Sequence, residues 1–168
     1  MKTLSAFFVI LLLIFVSYGQ KSQPKAKNFT ARSLDGKTFE LDQLKGKVVL
    51  VAFWSTRCAI CAAEVPKLNK LAETYKDKNV VFLGLAAENE SDIKKYLRKK
   101  TFEFNLLPNT FGVLLQFAEK DSDGNLLMGY PAYFLIDQEG KIELAAKGYN
   151  KTGLIGSNIK KLLTAELN

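Results

Sequence analysis

The sequence feature that most constrains the fold is the apolar run "VVLVAFW", from Val48 to Trp54. Seven consecutive apolar residues without alternation are typical of a strand that is buried on both faces of a sheet. After this run the pattern changes to helical spacing, from about Ala59 to Tyr75, with apolar residues at Ile60, Val65, Leu68, Leu71, Ala72 and Tyr75. A buried strand followed by an amphipathic helix predicts an α/β fold with a central sheet.

The rest of the chain supplies the other elements of such a fold. "NFTARSLDGKTFEL" predicts an N-terminal hairpin that turns at Asp35-Gly36, and "VVFLGLAA" predicts a second buried strand. We predict a helix with Ser91 as its N-cap, a short strand and helix between 101 and 118, a polar loop, a hairpin from "PAYFLID" to "KIELAAK" and a last helix over 152–165. The order indicates one central mixed β-sheet with helices on both faces.

The N-terminus has the pattern of an export signal. A lysine at position 2 precedes a wholly apolar stretch over 6–16, and small residues follow at 17–19. The stretch is shorter than the roughly 20 residues that span a bilayer, which favours a signal peptide over a transmembrane helix. We predict a signal peptide over 1–19, a linker over 20–27 and one domain over 28–168. The protein is then exported to the periplasm or the extracytoplasmic side of the membrane, with an uncleaved N-terminal anchor as the alternative.

Charge and composition exclude several classes of function. Lys and Arg number 24 against 17 Asp and Glu, but the lysines are scattered and no basic patch with interleaved aromatic residues is present. We therefore expect a solvated basic surface and no nucleic-acid partner. Histidine is absent, which excludes Ser-His and Cys-His catalysis and His-ligated metals. Asp121, Asp123 and Asn125 resemble part of a calcium loop but lack its closing Glu, so we expect no metal site.

The chain has two cysteines, Cys58 and Cys61, at the junction between the predicted strand and helix. Zinc needs four ligands, which this chain does not offer, and so short a loop gains little as a structural staple. At a helix start, free N–H groups and the helix dipole favour a thiolate, so we predict a redox pair. Cys58, at the exposed start, is the expected nucleophile, and Cys61, one turn further, resolves the mixed disulfide. Arg57 either favours the thiolate and attracts an acidic partner or is a solvated surface residue.

Two blocks, "DGKTFELDQLKGKVVLVAFWSTRCAICAAEVPKLNKL" and "GYPAYFLIDQEGKI", resemble the TlpA/ResA group of exported thioredoxin-like thiol-disulfide oxidoreductases, which is related to the AhpC/TSA peroxiredoxin-like group. The resemblance implies a thioredoxin-like fold with a small insertion before a cis-proline, here Pro131, that faces the cysteines. It also implies that the backbone of Tyr130 pairs with an extended substrate segment and that Trp54 packs near the disulfide at the substrate site. An ordinary strand-start proline and a core tryptophan are the alternatives.

The chain lacks the proton acceptor of thioredoxins proper. Thioredoxins proper have a buried Asp in the central strand, where this chain has Ala52. The family often places a buried Glu after the next strand, which indicates Glu90 as the proton acceptor for Cys61, with Glu88 as the second candidate. Two solvated loop carboxylates are the alternative. Glu64 matches the family's E-x-P motif and is expected to be structural.

These observations predict an exported, monomeric thiol-disulfide oxidoreductase that needs no bound cofactor, because the cysteines carry two electrons themselves. By resemblance, its substrates are disulfide-containing exported proteins, and a membrane-bound thiol reductant restores the dithiol; the direction of transfer is open. One alternative is a peroxiredoxin-like thiol peroxidase, for which Ser55 is suitably placed but Val51 replaces the proline of that motif. Another is a non-catalytic Cu(I)-binding module, although such modules normally add a histidine.

Overall fold

The computed structural model describes residues 23–165, so the predicted signal peptide lies outside the described residues. The strands are β1 (Thr30–Arg32), β2 (Thr38–Glu40), β3 (Val48–Trp54), β4 (Val80–Ala86), β5 (Asn105–Leu107), β6 (Glu119–Lys120), β7 (Leu126–Leu127), β8 (Ala132–Ile136) and β9 (Ile142–Lys147). The helices are α1 (Ala59–Thr74), α2 (Glu90–Leu97), α3 (Phe111–Phe117) and α4 (Thr152–Ala165), and a 3-10 helix spans Leu41–Leu44.

Five strands form the central sheet in the order β5-β4-β3-β8-β9. Strand β3 lies in the middle, and all seven of its residues are buried, as its apolar run predicts. It pairs in parallel with β4 and antiparallel with β8, so the sheet is mixed. A central strand cannot present a polar face to water on either side, which explains why its apolar residues do not alternate with polar ones.

Helices cover both faces of this sheet, which confirms the predicted layers. On one face, α1 and α4 pack over β3 and β8, and Leu68 and Ile155 are among the buried contacts. On the other face, α3 packs with the N-terminal segment around Phe29. Three phenylalanine rings, Phe53, Phe117 and Phe134, lie within 6.0 Å of one another there. The sheet is thus closed off from water on both sides by apolar side chains.

The predicted N-terminal hairpin is present as β1 and β2, which pair antiparallel from Thr30↔Glu40 to Arg32↔Thr38. It turns through Gly36, whose φ of 87° lies in the left-handed region that glycine adopts without steric cost. Residues 24–26, within the predicted linker, run beside the start of β9. The amide of Ala26 donates to Gly140, and Pro24 accepts from Ile142, each over 2.9 Å.

Three local expectations differ from the structure. Helix α2 begins at Glu90 and its N-cap is Asn89, whose side chain accepts from the amide of Asp92, so Ser91 is not the cap. The segment 119–127 is a small hairpin, β6 and β7, rather than a loop alone. Ile60, predicted to face inward, is exposed, because Cys61 occupies the inward position at the start of α1.

None of the helices within residues 23–165 is both long enough and apolar enough to cross a membrane.

Candidate active site

The two cysteines lie where the central strand ends. Strand β3 stops at Trp54, a short turn follows, and α1 begins at Ala59 with Cys58 as its N-cap. Cys58 and Cys61 form a disulfide, with their Cα atoms 5.2 Å apart. This is the strand-to-helix junction that the sequence predicts for the pair, and the structure holds it in the oxidised form.

The two sulfur atoms have different surroundings. Cys58 is half-buried, and its Sγ accepts a hydrogen bond from the amide of Cys61 over 3.0 Å. Cys61 is 3% exposed and packs into an apolar cluster with Trp54 and Ile93. A donated N–H group and the positive end of a helix both favour a thiolate at Cys58 when the pair is reduced. The accessible sulfur is therefore suited to attack and the buried one to resolution.

Strand pairing brings Pro131 close to the cysteines. Because Phe53 pairs with Ala132, the start of β8 lies beside the end of β3. The Tyr130–Pro131 bond is cis, and Pro131 lines the same small apolar cavity as Cys61. The carbonyl of Pro131 accepts from the amide of Gly148 over 2.8 Å. Pro131 therefore lies at the disulfide, as the resemblance implies.

Trp54 supports the disulfide from inside the protein. Its side chain is 5% exposed, and its ring centroid lies 4.7 Å from that of Phe102 and 5.6 Å from that of Tyr96. So buried a ring cannot offer a face to a substrate, and the expected contribution of Trp54 to substrate binding is not supported by this geometry. Arg57, by contrast, is exposed next to Cys58, and its amide donates to Ser55 Oγ over 3.2 Å.

The structure separates the two candidate carboxylates after β4. Glu88 Oε1 accepts from Ser55 Oγ over 2.6 Å and from the amide of Thr56 over 2.8 Å, so it braces the turn before Cys58. Burial alone would raise the pKa of Glu88, but these hydrogen bonds outweigh it and the net shift is downward. Glu90 is 53% exposed and pairs with Lys94 one helical turn away. The expectation that Glu90 takes the proton of Cys61 therefore has no geometric support.

A further carboxylate, expected to be structural, lies on the helix that carries the cysteines. Glu64 is on the same buried face of α1 as Cys61, three residues further along, and none of its side chain is exposed. Side chains three residues apart on a helix are neighbours. Glu64 Oε1 accepts from Lys67 Nζ over 3.0 Å, and Oε2 has no hydrogen-bond partner within residues 23–165. The site thus contains a buried carboxylate with a free lone pair.

Comparison with known proteins places this site in a family. The model of the AhpC/TSA family matches residues 23–145, most of the chain. The chain belongs to the AhpC/TSA family. One similar protein is the thiol-disulfide oxidoreductase ResA of Bacillus thuringiensis subsp. konkukian (strain 97-27). It is 30% identical over 139 residues, and the match covers 82% of this chain and 76% of the relative.

Two further comparisons give thioredoxin-like proteins. The thioredoxin-like protein YneN of Bacillus subtilis (strain 168) is 29% identical over 148 residues, covering 80% of this chain and 84% of YneN. The crystal structure of a thiol:disulfide interchange protein of the thioredoxin family from Chlorobium tepidum TLS superposes with a TM-score of 0.71 at 25% sequence identity. The match covers 84% of this chain and 97% of the Chlorobium chain. The predicted thioredoxin-like fold and thiol-disulfide oxidoreductase activity are confirmed.

Proposed function

We propose that this AhpC/TSA-family protein reduces disulfides of exported proteins, with Cys58 as the nucleophile and Cys61 as the resolving thiol. The observation that carries the proposal is the asymmetry of the pair. Cys58 is accessible at a helix N-terminus and accepts an amide hydrogen bond, whereas Cys61 is buried behind it. Both cysteines carry the two electrons of the reaction, so no bound cofactor is required.

In the reducing direction, the thiolate of Cys58 attacks one sulfur of the substrate disulfide and the other leaves as a thiolate. Cys61 then loses its proton and attacks Cys58 Sγ, which breaks the mixed disulfide and releases the second substrate thiolate. The enzyme ends as the disulfide seen in the structure, and the substrate has gained two electrons. A dithiol reductant returns the enzyme to its reduced form. We propose that this reductant is membrane-bound, as the resemblance to the TlpA/ResA group implies.

We assign the proton of Cys61 to Glu64 rather than to Glu90. Glu64 is buried on the same helix face as Cys61 and has an oxygen without a partner, whereas Glu90 is held in an exposed ion pair. A general base must come within hydrogen-bond distance of the proton that it takes, and a buried position on the same helix face favours this for Glu64. Glu88 keeps a different task, which is to brace the turn that carries Cys58.

The substrate site is proposed to lie between Cys58 and the start of β8. The backbone at Tyr130 precedes the cis bond and flanks the disulfide, so it can pair with an extended segment of substrate. Arg57 is exposed beside the nucleophile and would favour an acidic residue there. We also propose that residues 1–19 are a signal peptide, that 20–27 are a linker and that the domain spans 28–168. The protein is then a monomer that acts on the extracytoplasmic side of the membrane.

Two variants test the assignment of the cysteines. The reduced protein is mixed with oxidised insulin, the reaction is stopped by alkylation, and mass spectrometry counts mixed and intramolecular disulfides. We expect Cys61→Ser to accumulate the mixed disulfide with insulin and Cys58→Ser to form none. Turnover of insulin by Cys58→Ser at the wild-type rate would contradict the mechanism, and rapid consumption of hydrogen peroxide with slow disulfide exchange would favour the thiol peroxidase instead.

The direction of transfer is tested by the reduction potential. The protein is equilibrated against glutathione or dithiothreitol, and free thiols are counted by mass spectrometry. A value near that of thioredoxin, roughly −270 mV, is expected of a protein that reduces its substrates. A value near roughly −120 mV would show an oxidant that introduces disulfides, and would reverse the direction proposed above.

A further inference from the structure

The carboxylate of Glu64 is buried, and its compensating charge comes from one side chain. Within residues 23–165, the ion pair of Glu64 is with Lys67, whose Nζ lies 3.0 Å from Oε1. Burial disfavours the charged form of a carboxyl group, and a nearby cation favours it. Lys67 therefore supplies the charge that compensates the buried Glu64 carboxylate.

Lys67 is held by more than its own helix. Its Nζ also donates to Asn150 Oδ1 over 3.2 Å and lies 4.2 Å from the centroid of the Tyr149 ring. Both residues follow β9, and Asn150 has a φ of 60°, a left-handed conformation that asparagine tolerates. The hydrogen bond with Glu64, first among several causes, raises the pKa of Lys67. Only 38% of its side chain is exposed, compared with 59% for Lys94 in the surface pair with Glu90.

We propose that Lys67 is a positioning residue for the proton step at Cys61: it holds the Glu64 carboxylate and compensates its charge, and the segment after β9 keeps Lys67 in place. This inference rests on the proposed function of Glu64. Ordinary surface ion pairs contribute little, because both partners stay hydrated. This pair differs because its acidic member is wholly buried, so loss of the cation leaves a charge without compensation.

The step that Lys67 supports is balanced within the site. In the mixed disulfide, the Cys61 thiol gives its proton to the Glu64 carboxylate, and the resulting thiolate attacks Cys58 Sγ. The bond between Cys58 and the substrate breaks, the Cys58–Cys61 bond forms, and the substrate sulfur leaves with the electron pair. The Glu64 carboxyl then releases its proton to that thiolate or to solvent.

The other titratable group that faces Glu64 comes from the sheet. Tyr133 on β8 is fully buried, and burial, together with the nearby charge of Glu64, raises the pKa of its hydroxyl. It therefore stays neutral and cannot replace Lys67 as the compensating charge. Tyr149, from the segment after β9, contacts Lys67 through its ring. Any pH dependence that Lys67 imposes on the site should accordingly pass through Glu64.

The test compares Lys67→Met with Lys70→Met in the full chain. Lys70 is one turn further along α1 and exposed, so its variant makes the same change in charge away from Glu64. Each reduced protein is mixed with oxidised glutathione at pH 5 to 9, quenched by alkylation and analysed by mass spectrometry. The time course gives two rates, formation of the mixed disulfide on Cys58 and its resolution by Cys61.

We expect Lys67→Met to slow resolution at pH 7 by about tenfold or more and to displace its pH profile upward by about one pH unit. Formation of the mixed disulfide should change by less than about twofold, because Cys58 attacks before the proton step. Lys70→Met should leave both rates unchanged. In a Glu64→Gln background, which removes the carboxylate, Lys67→Met should have no further effect on resolution.

Two more variants keep the test decisive if Lys67→Met folds poorly. Lys67→Arg retains a cation and should restore most of the profile, and Asn150→Gly removes one contact of Lys67 at a backbone angle that glycine adopts. Asn150→Gly should displace the profile in the same direction by a smaller amount. Equal slowing of both rates, equal effects of Lys67→Met and Lys70→Met, or additive effects with Glu64→Gln would overturn the inference. Failure of Cys61→Ser to trap any mixed disulfide on Cys58 would instead refute the proposed function.

Discussion

Gly84 is the position where one added methyl group tests the packing behind the redox site. It lies in β4 between Ala52 of β3 and Leu106 of β5. A Cβ atom at Gly84 would be 2.7 Å from Leu106 Cδ2, 2.8 Å from Phe104 Cε2 and 3.3 Å from Trp54 Nε1. The first two distances are shorter than real Cβ contacts, so side chains in a buried cluster would have to move.

We expect Gly84→Ala to lower the free energy of unfolding by about 1–2 kcal/mol. Overpacking of a core typically costs about 1–3 kcal/mol, and the smaller entropy of the unfolded alanine chain offsets about 0.4–1 kcal/mol of that. Urea unfolding has a slope of about 1–3 kcal/mol per molar for small proteins, so the midpoint should fall by about 0.5–1 M. Trp54 is the only tryptophan in the sequence and contacts the added methyl, so its fluorescence reports the transition.

Gly112→Ala is the matched control for this measurement. Gly112 lies in α3, and a Cβ there would meet nothing within 4 Å. Alanine in a helix is more stable than glycine by about 0.5–1 kcal/mol, so the urea midpoint of this variant should rise. If Gly84→Ala is as stable as the wild type, or if both variants shift the midpoint in the same direction, the packing around Gly84 is not too tight for a methyl group and the reasoning is refuted.

Two further predictions concern hydrogen-bonded carboxylates. Glu88→Gln weakens charged hydrogen bonds to the active-site turn, so the Thr56 amide should exchange with D2O about tenfold faster by NMR, whereas Glu90→Gln should leave it unchanged. The pKa of Asp35 is lowered to about 2, first by the hydrogen bond from Ser33, so its ionised form stabilises the folded state above about pH 4 and this contribution is lost as the pH falls towards 2. The difference in unfolding free energy between wild type and Asp35→Asn should therefore shrink between pH 4 and 2; a constant difference would contradict this.

The sequence predicts the centre of the fold well because burial on both faces leaves an unmistakable pattern. The run from Val48 to Trp54 has no polar residue, and the structure buries all of it. Strand pairing is not visible in such a run, since every neighbour is apolar. Only the resemblance indicated that Pro131 reaches the cysteines, and only the structure shows the pairing of Phe53 with Ala132 that brings it there.

The choice between the two carboxylates after β4 depends on where α2 begins, and the predicted N-cap lies two residues later than the observed one. With Ser91 as the N-cap, Glu90 would precede the helix and could turn towards the site. The cap is Asn89, so Glu90 is the first helical residue and pairs with Lys94 at the i,i+4 spacing of an exposed face. Helix ends are the least determined part of a periodic pattern, and a shift of two residues changes which carboxylate faces the active-site turn.

The sequence pattern of α1 also contains a signal for Glu64. The buried positions of α1 are 61, 64, 65, 68 and 72, an i, i+3, i+4, i+7 pattern in which a glutamate is uncommon. Ile60 obscures this pattern in the sequence, because an apolar helix face that begins at Ile60 is complete without Glu64. Once Cys58 is taken as the N-cap, Cys61 and Glu64 fall on one inward face, and a lysine three residues later supplies the charge that a buried carboxylate needs. The proton acceptor that we propose, Glu64, therefore lies beside the cysteine motif on the same helix, whereas the sequence-based candidates lie after the next strand.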